Sequence, residues 1–281
     1  MPPPPFAASG GFSIQCKTMR HPNEDRFTIV EALSTADASV GFFAVYDGHC
    51  GDACSAFLAD TLHNRVRESP AFASGDYKQA LADGLLSTER TYHMQVIENE
   101  KAGVVDENPD DDGPKQSSGS CVVATIRTGP RLYIANLGDC RAICSVNNMS
   151  KMLTRDHKAT DPQEKARVVE AGGFVRSNRM FGLMSVTRSI GDFEYKDGST
   201  TGTLISTPDL FEEEITPGHQ CLIMACDGLW DVVDNALAVE TAVDGLRAGQ
   251  SASETARELA KLAVQRGSND DITVVVVPLN I

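Results

Sequence analysis

Short apolar runs recur along the chain, and between them lie longer stretches whose apolar residues follow helical spacing. The runs at 222–225 and 274–277 do not alternate with polar residues, which predicts strands buried on both faces. The pattern predicts nine strands, at 12–17, 27–33, 40–46, 119–127, 131–137, 141–146, 210–215, 220–226 and 272–278. It predicts five helices, at 51–67, 76–98, 161–171, 234–246 and 253–265.

The predicted helices come in pairs between groups of strands instead of alternating with single strands. This order argues against a doubly wound parallel sheet, in which strands and helices alternate. Strands buried on both faces need a covering layer on each side. The sequence therefore predicts a β-sandwich with helices over each outer face.

Several of the predicted strands have an aspartate at one end. These residues are Asp47 after the run 40–45, Asp139 after 132–137, Asp227 after 221–226, and Asp270 and Asp271 before 272–277. Sandwiches bring strand ends together at one edge, so we expect these carboxylates to converge. Clustered carboxylates suit hard cations such as Mg²⁺ or Mn²⁺. Each aspartate taken alone is also a common turn residue.

The net charge of the chain limits the classes of molecule that it is expected to bind. The chain has 281 residues, with 25 Lys and Arg against 39 Asp and Glu, and a formal net charge of −14. This argues against nucleic acid or an anionic membrane as a partner, and it is compatible with cationic peptides, although acidity also serves solubility.

None of the eight cysteines forms a CxxC pair, which disfavours zinc. We expect a soluble monomer in a reducing compartment, the cytosol, with the nucleus as the alternative.

Composition also suggests how the chain is divided. Residues 1–10 are rich in proline and are expected to form a flexible tail, and residues 11–281 a single domain. Residues 99–118 are acidic and broken by proline and glycine, which is typical of an exposed loop. Residues 174–207 have weak periodicity and many Gly, Ser, Thr and Arg, so we expect a mobile, flap-like insertion beside a site.

A series of short motifs runs in order along the chain. They are Arg20-x-x-Asn23-Glu24-Asp25, Asp47-Gly48-His49-x-Gly51, Gly119-Ser120, Asn136-x-Gly138-Asp139-x-Arg141, Asp156-His157-Lys158, Ala171-Gly172-Gly173, Arg188-x-x-Gly191-Asp192, Ala225-Cys226-Asp227-Gly228-x-Trp230-Asp231 and Ser268-x-Asp270. Together they resemble the metal-dependent protein phosphatase (PPM) family, the type 2C serine/threonine phosphatases, from about residue 11 to residue 278. The resemblance implies an α+β fold: a four-layer α-β-β-α sandwich of two mainly antiparallel sheets, with a metal centre at one edge.

The resemblance also implies a metal set of two Mn²⁺ or Mg²⁺ ions. By the family pattern, Asp47 bridges both ions, Asp227 and Asp270 complete one, Glu24 and the Gly48 carbonyl complete the other, and a weaker third ion lies near Asp139 and Asp227. The implied activity is hydrolysis of phosphoserine and phosphothreonine in proteins. The alternatives are a non-catalytic regulatory relative, which loss of the carboxylates would mark, and a metal phosphohydrolase acting on small phosphate esters.

In the implied reaction, a hydroxide shared by the two ions attacks phosphorus in line, so Asp47 is counted with the catalytic residues. Arg20 holds the phosphate oxygens with its planar guanidinium, and His49 protonates the departing oxygen. The alternatives are a surface pairing of Arg20 with Glu24 and a turn position for His49, with water as the acid. No C-x5-R loop of the tyrosine phosphatase kind is present.

Other residues in the motifs have less definite roles. Asp25 is expected to support the metal ligands without binding an ion, and Trp230 to belong to the core. Asp192 resembles a carboxylate near the same edge, with a structural hydrogen bond as the alternative. Arg179 and Arg188 either meet substrate or have ordinary pairing roles.

One departure from the family pattern bears on the chemistry of the site. Asp271 stands where the family usually has asparagine. Our hypothesis is that this extra carboxylate strengthens divalent-metal binding and makes the shared water a weaker acid. The alternative is that Asp271 points into solvent and is screened.

Overall fold

The computed structural model describes residues 8–16, 21–34, 37–103, 118–196 and 201–281. Its strands are β1 Gly10–Ile14, β2 Arg26–Val30, β3 Gly41–His49, β4 Gly119–Thr128, β5 Arg131–Leu137, β6 Arg141–Val146, β7 Met149–Met152, β8 Val175–Arg176, β9 Arg179–Met180, β10 Ile190–Gly191, β11 Asp209–Glu214, β12 His219–Ala225 and β13 Ile272–Pro278. Its helices are α1 Ala53–Glu68, α2 Pro70–Ala73, α3 Tyr77–Lys101, α4 Pro162–Glu170, α5 Asp227–Trp230, α6 Asn235–Arg247 and α7 Ala252–Gln265.

Two antiparallel sheets form the centre of the fold. One has the order β1-β13-β12-β6-β7, and the other has the order β11-β5-β4-β3-β2 with β10 paired to β4. Strand β3 shows how they pack, because successive side chains of a strand point to opposite faces. Phe43 and Val45 pack with Leu222 and Val275 of the other sheet. The apolar interior between the sheets is therefore continuous.

Helices cover both outer faces. Phe42 and Tyr46, on the other face of β3, belong to the cluster that includes Leu58 of α1 and Leu81 of α3. The outer face of the first sheet packs with α6 and α7 through a second cluster, which includes Val239 and Leu259. The predicted four-layer α-β-β-α sandwich is thus confirmed.

Some predicted boundaries were wrong. The first strand lies at Gly10–Ile14, not at 12–17, and β3 continues three residues beyond the expected end at Tyr46. Periodicity ends where polar residues begin, but backbone pairing continues: Asp47, Gly48 and His49 pair with Cys121, Ser120 and Gly119. Strands β7 to β10 and helices α2 and α5 are too short to produce a periodic signal.

The segment 174–207 has a small core of its own, as far as it is described. Strands β8 and β9 form a hairpin, and Met180 and Leu204 pack with Ala159 and with Val168 of α4. Its mobility stays a prediction. The tail residues 1–7 and residues 104–117 of the acidic loop lie outside the described ranges. In the described ranges, no helix has both the length and the apolar character needed to span a membrane.

Candidate active site

Three aspartates from both sheets meet at one edge of the sandwich. Asp47 lies in β3, Asp139 follows β5, and Asp227 opens α5 shortly after β12. One carboxylate oxygen of each lies within 4.8 Å of the others. The convergence expected from strand ends is therefore present for these three residues.

Glu24 and Gly48 approach each other at the same edge. A Cβ atom on Gly48 would lie 2.3 Å from the carbonyl oxygen of Glu24, so only glycine permits this contact. The backbone N–H of Gly51 donates to Oε1 of Glu24 at 2.7 Å, and the Ser55 hydroxyl donates to the Glu24 carbonyl. Hydrogen bonds therefore hold both the backbone and the carboxylate of Glu24.

Asp270 and Asp271 directly precede strand β13. The backbone N–H of Asp271 donates to Oδ1 of Asp270 at 2.8 Å. The Asp271 side chain is buried, and its two carboxylate oxygens accept from the backbone N–H groups of Cys16 and Glu24 at 2.7 and 2.8 Å. The alternative that Asp271 points into solvent is therefore wrong.

The electrostatics of this edge favour cations. Burial, together with neighbouring carboxylates, raises the pKa of Asp227 to about 8 and the pKa of Asp47 well above its usual value. Burial also raises the pKa of Glu24, Asp139 and Asp270. Oδ2 of Asp139 is buried without a hydrogen-bond partner among the described residues. Bound cations would relieve this cost, so the donor set, which is all oxygen, fits hard divalent ions.

Asp25 follows Glu24 in sequence and lies near Asp270 and Asp271. It is buried, and its Oδ2 has no hydrogen-bond partner in the described ranges. Burial raises its pKa to about 7, against hydrogen bonds from Thr273 and Cys226 that lower it. These contacts are compatible with the expected supporting role.

His49 is held by Asp192. Its Nε2 lies 2.9 Å from both carboxylate oxygens of Asp192, which is itself buried and accepts from the Ser189 hydroxyl. A Cβ on Gly119 would overlap both side chains, so a glycine there makes the pair possible. Burial lowers the pKa of His49, but the charge and hydrogen bond of Asp192 outweigh it, and the pKa is raised. This pairing favours the imidazolium form.

A cavity of about 450 Å³ opens over the carboxylates. Its other wall comes mainly from the segment 174–207, through Arg179, Leu183, Met184 and Tyr195. The sequence did not indicate Leu183 or Tyr195, because residues of a segment with weak helix or strand periodicity produce no pattern signal. Arg20 lies outside the described residues, so its predicted place in this site has no structural test.

Arg188 does not line this cavity. It is buried, and its guanidinium pairs with Glu164 at 2.6 Å and with Asp209 at 2.8 Å. Of the two arginines considered for substrate contact, only Arg179 faces the cavity. Trp230 belongs to the core, as predicted, and its indole N–H donates to the Ala225 carbonyl at 2.9 Å.

Comparison with known protein families identifies the family of this chain. The model of the family described as "Protein phosphatase 2C" matches residues 9–272, nearly the whole chain. The chain belongs to the protein phosphatase 2C family. The resemblance recognised in the ordered motifs is therefore confirmed.

Individual relatives agree with this assignment. The chain is 36% identical to "Protein spalten" of Dictyostelium discoideum over 87% of this chain and 24% of that protein. It is 34% identical to the human "Integrin-linked kinase-associated serine/threonine phosphatase 2C" over 95% of this chain and 71% of that protein. It spans about half the length of two Aspergillus relatives named "Protein phosphatase 2C homolog 2".

A solved structure shows the same fold. The crystal structure of a serine-threonine phosphatase 2C from Toxoplasma gondii superposes with a TM-score of 0.80 at 25% identity, over 98% of this chain and 95% of that one. Sheets and flanking helices therefore follow the architecture of this family.

Proposed function

We propose that this chain hydrolyses phosphoserine and phosphothreonine in proteins, with two divalent cations, Mn²⁺ or Mg²⁺, as cofactors. The observation that carries the proposal is the meeting of Asp47, Asp139 and Asp227 at a cavity floor, within 4.8 Å of one another. Membership of the phosphatase 2C family supports it. The retained carboxylates speak against a non-catalytic relative.

The proposed metal ligands are those of the family pattern. Asp47 would bind both ions, Asp227 and Asp270 would bind one, Glu24 and the Gly48 carbonyl would bind the other, and Asp139 with Asp227 would bind a weaker third ion. Their support is the raised pKa of the carboxylates and the contact of Gly48 with Glu24. When bound, two such ions acidify the water between them and so supply a nucleophile at neutral pH.

The protein residues then orient the phosphate and move a proton. In this proposal Arg20 holds the phosphate oxygens, and His49 donates a proton to the departing serine or threonine oxygen. Nε2 of His49 is held by Asp192, so Nδ1 is the ring nitrogen that we propose as the proton donor. Asp192 therefore fixes the ring and supports its charged form.

The proposed substrates are phosphorylated protein segments. The cavity has a carboxylate floor and a wall from the segment 174–207, and we propose that this wall contacts the residues around the phosphate. With a net charge of −14, nucleic acid and anionic membranes are not expected partners. A monomer in the cytosol remains our working expectation.

A substrate comparison tests the proposal. We expect turnover of a phosphothreonine peptide in Mn²⁺ or Mg²⁺, loss of that turnover in chelator, and much slower turnover of sugar and nucleotide phosphates. Faster hydrolysis of the small esters would favour the phosphohydrolase alternative. No metal-dependent turnover of any phosphate ester by the folded chain would favour a regulatory relative.

A further inference from the structure

Lys158 places a positive charge against the candidate third cation position. Its Nζ lies 2.9 Å from Oδ1 of Asp231 and 3.6 Å from Oδ2 of Asp139. Asp139 is one of the three converging aspartates, and its Oδ2 has no hydrogen-bond partner in the described ranges. The ammonium group therefore meets the oxygen that a cation at Asp139 would be expected to use.

The backbone around Lys158 is fixed. Asp156 accepts two hydrogen bonds from the guanidinium of Arg141, at 3.1 and 2.6 Å. His157 and Gly138 exchange two more: the His157 N–H donates to the Gly138 carbonyl at 2.8 Å, and the Gly138 N–H donates to Nδ1 of His157 at 3.1 Å. These hydrogen bonds hold residues 156–158 against residues 138–141. Lys158 is therefore placed beside Asp139.

The side chain of Lys158 is free enough to leave this place. It is 27% exposed, whereas Asp139 is 3% exposed and Asp231 is 61% exposed. A long, flexible lysine can keep its pairing with the exposed Asp231 or turn into water at little cost. Asp139 cannot follow it. The Lys158–Asp139 contact is therefore the one that can open.

The charge of Lys158 also acts on Asp227, which is a proposed ligand of one principal ion as well as of the third. In the described part of the chain, the ion pairs of Lys158 are with Asp139 and Asp231, and not with Asp47 or Asp270. A divalent ion placed between Asp139 and Asp227 instead meets a unit positive charge already in contact with one of its ligands. Like charges at this distance repel, so the ammonium must move before the ion can bind fully.

We propose that the ammonium group of Lys158 competes with the third cation for the carboxylate of Asp139. This competition sets the concentration of free Mg²⁺ or Mn²⁺ at which the third position fills. The inference rests on the metal set of the proposed function. Its consequence is a weak, exchangeable position whose filling follows the concentration of free divalent ion, while the two other ions stay bound.

Calorimetric titration with Mg²⁺ tests the inference without any turnover. We expect Lys158→Met to bind the weakest ion roughly threefold to tenfold more tightly than the parent, because a neighbouring positive charge is gone. Lys158→Arg keeps the charge and should remain near the parent. Lys151→Met is the matched control, because Lys151 pairs with Glu213 and not with the candidate site. Unchanged or weaker binding by a folded Lys158→Met protein would overturn the proposal.

Amine labelling of the parent protein provides a second test that needs no variant. Increasing Mg²⁺ should displace Lys158 from Asp139 and raise its labelling by an amine-reactive reagent, read by mass spectrometry, while Lys151 serves as the internal reference. Labelling of Lys158 that stays constant through the filling of the weak site contradicts displacement. Both readouts are independent of phosphatase activity, so an inactive protein that releases Lys158 would reject only the proposed function.

Discussion

The carboxylate of Asp271 accepts a hydrogen bond from the backbone N–H of Glu24 at 2.8 Å, and its other oxygen accepts from the N–H of Cys16 at 2.7 Å. The Asp271 side chain, immediately before β13, thereby joins both ends of the segment 16–24. Arg20 belongs to that segment in sequence, and Glu24 is a proposed metal ligand. The departure from the family pattern at Asp271 therefore has a structural role as well as a charge.

Asp271→Asn should weaken this connection. Asparagine has one acceptor oxygen, so one of the two N–H groups loses its partner and faces an N–H₂ group. We expect the free energy of unfolding in urea to fall by about 1–3 kcal/mol. Affinity for Mn²⁺, measured by calorimetry, should also fall because Glu24 is less firmly held.

Asp244→Asn, at an exposed position of α6, is the matched control and should change neither quantity. Equal unfolding free energies and equal Mn²⁺ affinities for Asp271→Asn and the parent would show that the two hydrogen bonds contribute nothing.

The layers of the fold could be predicted because each depends on a local pattern. Apolar runs predict the strands, and paired helical stretches predict the two outer helical layers. Aspartates at strand ends predict the edge of the sandwich where the site lies. The pairs that complete the site are different: His49 and Asp192 are 143 residues apart in sequence. Their contact depends on β10 lying beside β4, and a two-residue strand leaves no periodic signal. The ordered motifs identified Asp192 and Lys158 without indicating what either would contact.

The buried Glu164–Arg188 pair predicts how stability depends on pH. Burial alone would raise the pKa of Glu164. Hydrogen bonds from Arg188 and Thr187 outweigh this effect and lower the pKa from 4.5 to about 2. A lowered folded-state pKa adds stability that is complete above about pH 4.5 and is lost as the pH falls toward 2. Glu164→Gln should therefore cost about 3 kcal/mol at pH 7, since it leaves Arg188 without its main partner.

This deficit should shrink by about 1 kcal/mol at pH 3.5, where Glu164 of the unfolded parent is mostly protonated. Urea unfolding at both pH values measures it. Glu258→Gln, which removes an exposed pair with Lys261, should have little effect. A deficit that stays constant with pH would contradict the lowered pKa of Glu164.

His49→Gln tests the proposed general acid through the leaving group. Loss of a general acid should lower kcat on a phosphoserine peptide by roughly 10²–10⁴. The loss on p-nitrophenyl phosphate should be far smaller, because that leaving group needs little protonation. Equal losses on both substrates would instead indicate that His49 only positions other groups.

Asp227→Asn distinguishes the repulsion between Asp227 and its neighbouring carboxylates from the role of Asp227 in metal binding. In metal-free solution near pH 7 the variant should melt no lower than the parent, because a neutral amide does not carry the cost of ionisation that burial and the carboxylates of neighbouring residues impose on Asp227. Added Mn²⁺ should raise the melting temperature of the parent and raise that of the variant much less. An equal rise in both proteins would exclude Asp227 as a ligand of the bound ion.

The most direct test of the central claim is the turnover of a phosphothreonine peptide by Asp47→Ala, measured in Mn²⁺ and in chelator beside the parent and Asp60→Ala, which alters an exposed aspartate of α1. If Asp47 lies between the two catalytic ions, the folded variant should show no more activity in Mn²⁺ than the parent shows in chelator. Asp60→Ala should keep the parent's metal-dependent rate. Near-normal, Mn²⁺-dependent turnover by Asp47→Ala would contradict the account.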